Sequence, residues 1–224
     1  MVLIREKKYL IVFLILAFFS AEMMAQSRNI IGKYTPPKSH VSKNKKKKVK
    51  EDPVAKLAKS ITANSHSDSE KVYAIYSWIA ANIKYDTRLR FSKELQNEIY
   101  TSEANVVENV LDRKMALCGG YAFLFRDLCE KVNIPVEVIH GFTKAAGGPL
   151  QNYKVPNHTW NAVKLKGEWK LIDITWAVGY GTNGKPDDFW YLTNPRDFIY
   201  THYPDNKKWT LLGESVSFTE FKKR

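Results

Sequence analysis

Three side chains in this 224-residue chain have the types and surroundings for nucleophilic chemistry: Cys118, His158 and Asp173. Cys118 lies in Ala116-Leu117-Cys118-Gly119-Gly120-Tyr121-Ala122-Phe123-Leu124-Phe125, where a short apolar run opens into an amphipathic helix. A thiol at a helix N-terminus meets unpaired N–H groups and the positive end of the macrodipole, which favour the thiolate. The same N–H groups can face a developing oxyanion. Gly119 and Gly120 put no side chain beside the sulfur, which makes them candidate substrate-binding positions. On this stretch alone, a buried cysteine packed as a small hydrophobe is an equally good reading.

The other two residues come from a hairpin. Residues 158–165 and 168–175 alternate as strands around Lys166-Gly167, a tight two-residue turn. With Leu165 facing Glu168, Asp173 falls opposite Trp160 and His158 opposite Thr175. His158 and Asp173 then share a face as diagonal neighbours. An acid so placed fixes the tautomer of an imidazole and stabilises its charged form. Beside Cys118, that imidazolium would depress the thiol pKa and later protonate a leaving group. Nucleophile, base and orienter are all present. Trp160 and Trp176 are core residues by default and candidate walls of the substrate cleft.

Helical patterns that precede strand patterns must position these groups. Asp52-Pro53 reads as an N-cap with proline at the first helical position, followed by Val54, Leu57, Ala58 and Ile61 on one stripe. Ser67-Asp68-Ser69-Glu70 is a capping box opening a helix that carries Val72, Ile75, Tyr76, Ile79 and Ile83 and runs to Tyr85-Asp86. Residues 91–101 have weak signals and read as irregular, and a short helix is expected over 102–111. The Cys118 helix stops near Asn133, ahead of Pro135. Alternation then takes over at 136–142, and a Gly/Pro-rich loop at 144–157 precedes His158 as a candidate lid. Helices first and strands after predict an α+β fold, with the nucleophile helix packed on an antiparallel sheet.

The net charge of +12 belongs to a tail. Of 35 basic residues, three lie in the first 25 positions and nine in 26–50, leaving 23 against 21 acidic residues from Glu51 onward. Arg5, Lys7 and Lys8, the apolar run 9–19 and a small residue at Ala25 form the pattern of a signal peptide over residues 1–25. An uncleaved N-terminal membrane anchor is the alternative. Residues 26–50, with Pro36-Pro37 and the run Lys45-Lys46-Lys47-Lys48, read as a disordered basic linker to a domain at 51–224. The chain is therefore expected to be exported, its tail resting on anionic membrane or wall polymer. No aromatic residues interleave with these lysines to stack bases, which argues against nucleic acid. The second cysteine, Cys129, lies eleven residues along the same helix. At about 16 Å of rise it is too far from Cys118 for a disulfide, and it reads as core.

Trp78-Ile79-Ala80-Ala81-Asn82-Ile83-Lys84-Tyr85-Asp86, Cys118-Gly119-Gly120-Tyr121-Ala122, His158-Thr159-Trp160-Asn161 and Asp173-Ile174-Thr175-Trp176 resemble the core of the transglutaminase-like superfamily. The chain is most similar to the branch typified by kyphoscoliosis peptidase, whose ending is matched by Phe189-Trp190-Tyr191-Leu192-Thr193-Asn194-Pro195 and Thr201-His202-Tyr203-Pro204. The resemblance implies a papain-like fold with Cys118, His158 and Asp173 as a triad. Thr159 stands where the family often has alanine and should point away from the site. Members crosslink glutamine to amines, hydrolyse amide bonds or have lost activity, so membership leaves the reaction open.

The expectation is a cysteine enzyme acting on a protein or peptide substrate through a thioester, with hydrolysis favoured over amine transfer. A silent envelope-binding module is the rival. No cofactor is implied. Zinc on Cys118, His140 and His158 lacks the usual paired ligand spacing. His140 reads as a core or edge histidine, His202 as a structural hydrogen-bonding residue, His40 and His66 as solvated, and Asp187-Asp188 as a solvated turn.

Overall fold

The computed structural model describes residues 52–144, 155–214 and 216–223. The expected signal peptide and basic linker, and most of the candidate lid, lie outside the described residues. Among the described residues no helix is long and apolar enough to cross a membrane.

Two capped helices come first. α1 (Pro53–Ile61) starts where Asp52 Oδ1 accepts the Val54 N–H at 2.9 Å. α2 (Asp68–Asn82) starts at Ser67, whose Oγ accepts the Glu70 N–H at 3.2 Å. Glu70 reaches back to the N–H of His66 at 2.6 Å, one residue earlier than in a standard capping box. α2 buries Val72, Ile75, Tyr76 and Ile79 and ends at Asn82, short of the expected Tyr85-Asp86. The chain turns extended at Ile83, and Lys84–Tyr85 (β1) pairs in parallel with Met115–Ala116 (β2). Hydrogen bonds from Lys84 N–H to Lys114 O and from Asp86 N–H to Ala116 O, both 2.9 Å, take the place of another helical turn.

Residues 91–101 are not irregular. Most of them belong to α3 (Thr87–Phe91) and α4 (Lys93–Ile99), capped by Asp86 and Ser92 through 2.8 and 3.2 Å bonds to Leu89 N–H and Leu95 N–H, and Tyr100 and Thr101 form the turn after α4. Helices this short show little apolar period, and their local caps carry the signal. α5 (Glu103–Arg113) follows its Ser102 cap and ends at Lys114 in the left-handed conformation.

α6 (Cys118–Glu130) is apolar on nearly every side and packs on α1, α2 and α5 as well as on the sheet. Cys129 is buried within this core. The antiparallel sheet has the order β5-β4-β3-β6, from β3 (Val136–Thr143), β4 (His158–Leu165), β5 (Glu168–Ile172) and β6 (His202–Pro204). Leu165 does face Glu168, across a turn in which Lys166 and Gly167 have φ of 51° and 85°. β5 stops at Ile172, however. Residues 173–175 do not pair, because Asp173 caps α7 (Ile174–Tyr180) by accepting the Trp176 N–H at 2.9 Å. α8 (Pro195–Phe198) and α9 (Phe218–Lys223) complete the fold, and α9 closes over Phe142, Ile199 and Tyr203. Asp187-Asp188 starts a short 3₁₀ turn rather than a free one, with the Tyr76 hydroxyl 3.4 Å from Asp188 Oδ1.

Candidate active site

Cys118 is the first residue of α6, half-buried, behind Leu117, which offers no side-chain cap. Three contacts hold this helix in place. The β1–β2 pair delivers the chain to it, and the Tyr121 hydroxyl donates to Ile83 O at 3.0 Å. Asn161 Nδ2 on β4 donates to Ala122 O at 3.1 Å, tying the nucleophile helix to the strand that starts with His158.

His158 Nε2 lies 2.6 Å from Asp173 Oδ2, and both side chains are buried. The Cys118 thiol lies close enough to this ring for the two to shift each other's ionisation. With Nε2 committed to the carboxylate, Nδ1 is the ring atom left to serve the sulfur. Burial alone would raise the Cys118 pKa, but the hydrogen bond and positive charge of His158 outweigh it and hold the thiol below its ordinary value. Burial would depress His158 in turn, yet the Asp173 charge and hydrogen bond raise it to about 10. Asp173 is pushed up by burial and pulled well below the usual carboxylate range by His158 and then His202. These shifts favour a thiolate–imidazolium pair backed by a carboxylate.

Sequence reasoning missed the fourth member. His202 was expected only to make structural bonds near the C-terminus, but its Nε2 lies 3.0 Å from the same Asp173 Oδ2. No short spacing links positions 173 and 202. They meet because β6 pairs with β3, matching Thr143 with His202, out of sequence order. The ending motif Thr201-His202-Tyr203-Pro204 was the one available signal.

The other expected site residues have different surroundings from those anticipated. A Cβ on Gly120 would come 2.8 Å from Val110 Cγ2 and 3.0 Å from Ala116 Cβ, so this glycine faces the core and not a substrate. A Cβ on Gly119 would meet the Tyr100 ring at 3.3 Å. The Tyr100 hydroxyl lies 3.5 Å from the same point. Trp160 is 1% exposed, with ring centroids 6.1 Å from His158, and so gives a substrate no surface to touch. Trp176 is 7% exposed and packs 4.4 Å from the His202 ring. Both tryptophans back the triad and keep it dry. Thr159 points away, its Oγ1 3.1 Å from His140 Nδ1 on the opposite face of the sheet, so Cys118, His140 and His158 do not converge on an ion.

His158, Asp173 and His202 do offer three potential ligand atoms within 4.8 Å of one another. Two ligands on one tetrahedral zinc sit about 3.3 Å apart. The 2.6 and 3.0 Å separations here are N–H···O hydrogen bonds, and the carboxylate oxygen is already occupied by them. The donor set does not fit a metal.

Comparison with known proteins identifies the family. The model of the transglutaminase-like superfamily matches residues 55–174, a stretch containing Cys118, His158 and Asp173. Kyphoscoliosis peptidase of Mus musculus is 34% identical over 173 residues, covering 74% of this chain and 25% of that protein. Hillarin of Drosophila melanogaster is 27% identical over 192 residues, covering 74% of this chain and 21% of that protein. The chain thus spans a quarter or less of the length of these curated relatives. A crystal structure of a TGase superposes over 60% of this chain and 32% of that one, with a TM-score of 0.39 at 23% identity.

Proposed function

The chain belongs to the transglutaminase-like superfamily, and on that footing we propose that it is an exported cysteine enzyme that cleaves peptide or amide bonds through a thioester. The Cys118 thiolate attacks the substrate carbonyl, forming a C–S bond and an oxyanion. The N–H of Cys118, first in its helix and without an intrahelical acceptor, is available to that oxyanion. As the C–N bond breaks, His158 gives its Nδ1 proton to the leaving amine. The neutral ring then takes a proton from water as the oxygen attacks the thioester, and the carboxylic acid leaves with the thiolate regenerated. Asp173 holds the ring throughout and is not consumed.

The observation that carries this reading is the 2.6 Å bond from His158 Nε2 to Asp173, with Cys118 at the start of its helix beside the same ring. The relative named a peptidase supports hydrolysis over amine transfer. Export rests on the basic and apolar pattern of residues 1–25, and the lysines of residues 45–48 suit an anionic membrane or wall polymer.

A mixed peptide library incubated with the purified protein, with Cys118→Ala as control and mass spectrometry as readout, tests the chemistry. Cleaved peptides formed only by the wild type are expected. Amine-coupled peptides would move the assignment to crosslinking, and no product at all would leave a binding module. Recovery of a chain starting at Gln26 from outside the cytoplasm would support export.

A further inference from the structure

Asp173 Oδ2 is shared by two imidazoles, His158 at 2.6 Å and His202 at 3.0 Å, while its Oδ1 caps α7. From this geometry we propose that His202 is a positioning residue of the site, a neutral Nε2–H donor that clamps the carboxylate in the plane that serves His158. The inference rests on the triad reading given above and adds to it the group that holds the orienter.

His202 is built for that one role. It is 1% exposed, its ring stacks on Phe198 at 4.0 Å, and Trp176, Trp160 and Trp190 close around it. The Thr201 hydroxyl lies 2.8 Å from Nδ1. An ionised carboxylate only accepts, so the Nε2 that faces Asp173 must carry the proton; in a neutral ring Nδ1 is then the acceptor for the Thr201 hydroxyl, whose other neighbour is Phe198 O at 3.4 Å. The titratable groups that face His202 are Asp173 and His158; the Thr201 hydroxyl and aromatic rings make up its other contacts. Burial pushes it down to about 4 even though Asp173 pulls the other way, consistent with a neutral donor at working pH. A carboxylate with two uses, capping a helix and orienting a base, can satisfy the first in several rotations. A second donor on Oδ2 removes that freedom, as second-layer partners do for metal-bound histidines.

The test is the pH profile of iodoacetamide alkylation at Cys118 in the full chain, with folding followed by thermal melting. His202→Phe keeps the ring volume and removes the donor, and His202→Gln restores an amide N–H. The wild type should show an acid-shifted thiolate. The Phe variant should move the acid limb up by about one pH unit, an approximately tenfold slower alkylation below it, and the Gln variant should recover most of this. A folded Phe variant with the wild-type limb, or a Gln variant shifted as far as Phe, would overturn the clamp while leaving the triad intact. A wild-type limb near about 8.5 would remove the ion pair itself, and both readings with it. Should His202→Phe fail to fold, Thr201→Val decides, since losing the hydroxyl frees the tautomer and should shift the limb in the same direction. ¹⁵N spectra of the unmodified protein supply a check that needs no variant: His202 should be the neutral Nε2–H tautomer at pH 7, and an imidazolium or Nδ1–H form would refute the inference.

Discussion

Asp86 and Arg113 form a 2.6 Å ion pair at the point where the β1–β2 pair hands the chain to Cys118. The carboxylate is fully buried, and its other oxygen accepts the Leu89 N–H at 2.8 Å to cap α3. One acid therefore ties α3, the end of α5 and the entry to the nucleophile helix together.

Asp86→Ala removes that joint. Because Arg113 remains partly exposed, the loss should be moderate, about 2–3 kcal/mol from the broken pair and the lost cap together. Urea unfolding measures it. Cys118 alkylation in the folded variant should lose part of its acid shift as the helix entry loosens.

The two glycines after the nucleophile should respond differently to alanine. Gly120→Ala pushes a methyl against Val110 and Ala116 at 2.8 and 3.0 Å and should destabilise the fold by about 1–3 kcal/mol. Gly119→Ala meets the Tyr100 ring at 3.3 Å and the Phe123 ring at 3.5 Å, looser contacts, and should cost less. Thermal melts of the two variants give the order directly.

Alkylation of Cys118 should set in at lower pH than for an ordinary thiol, because the thiol sits below its ordinary value beside an imidazolium that persists to about pH 10. Asp173→Asn keeps an oxygen for the α7 cap but removes the charge that raises His158. The imidazolium should then be lost at lower pH, the thiol should rise, and alkylation at pH 6 should fall by about tenfold or more.

His202 also predicts how stability depends on acid. Its folded pKa of about 4 lies below the unfolded value near 6.5, so the unfolded chain binds the extra proton first. The stabilisation it gives is complete above about pH 6.5 and is lost as pH falls through 4, up to about 3 kcal/mol. His158 is protonated in both states across this window and contributes no slope there, since its raised pKa matters only above 6.5, where stability fades as pH climbs towards 10. Replacing His202 by Gln should flatten the acid side of the curve, measured by denaturant unfolding at pH 4.5 and 7.

Much of this site is written in local pattern. A cysteine before two glycines and an apolar helix, a two-residue turn that sets Leu165 against Glu168, and the caps Asp52, Ser67 and Ser102 all follow from spacings of a few residues, where backbone geometry leaves few choices. The same turn register brought His158 and Asp173 together on paper, although the local route differs, with Asp173 as a helix cap and not a strand residue. Only the tertiary structure decided that His202 shares the Asp173 oxygen, that Gly120 faces Val110, and that Trp160 and Trp176 lie behind the imidazole. Those relationships depend on which distant elements pack against each other, as when β6 joins β3 and pairs Thr143 with His202, 59 residues further along the chain. Periodicity and capping act over a turn or two of chain, whereas the partners of a buried polar group are chosen by the whole core closing around it.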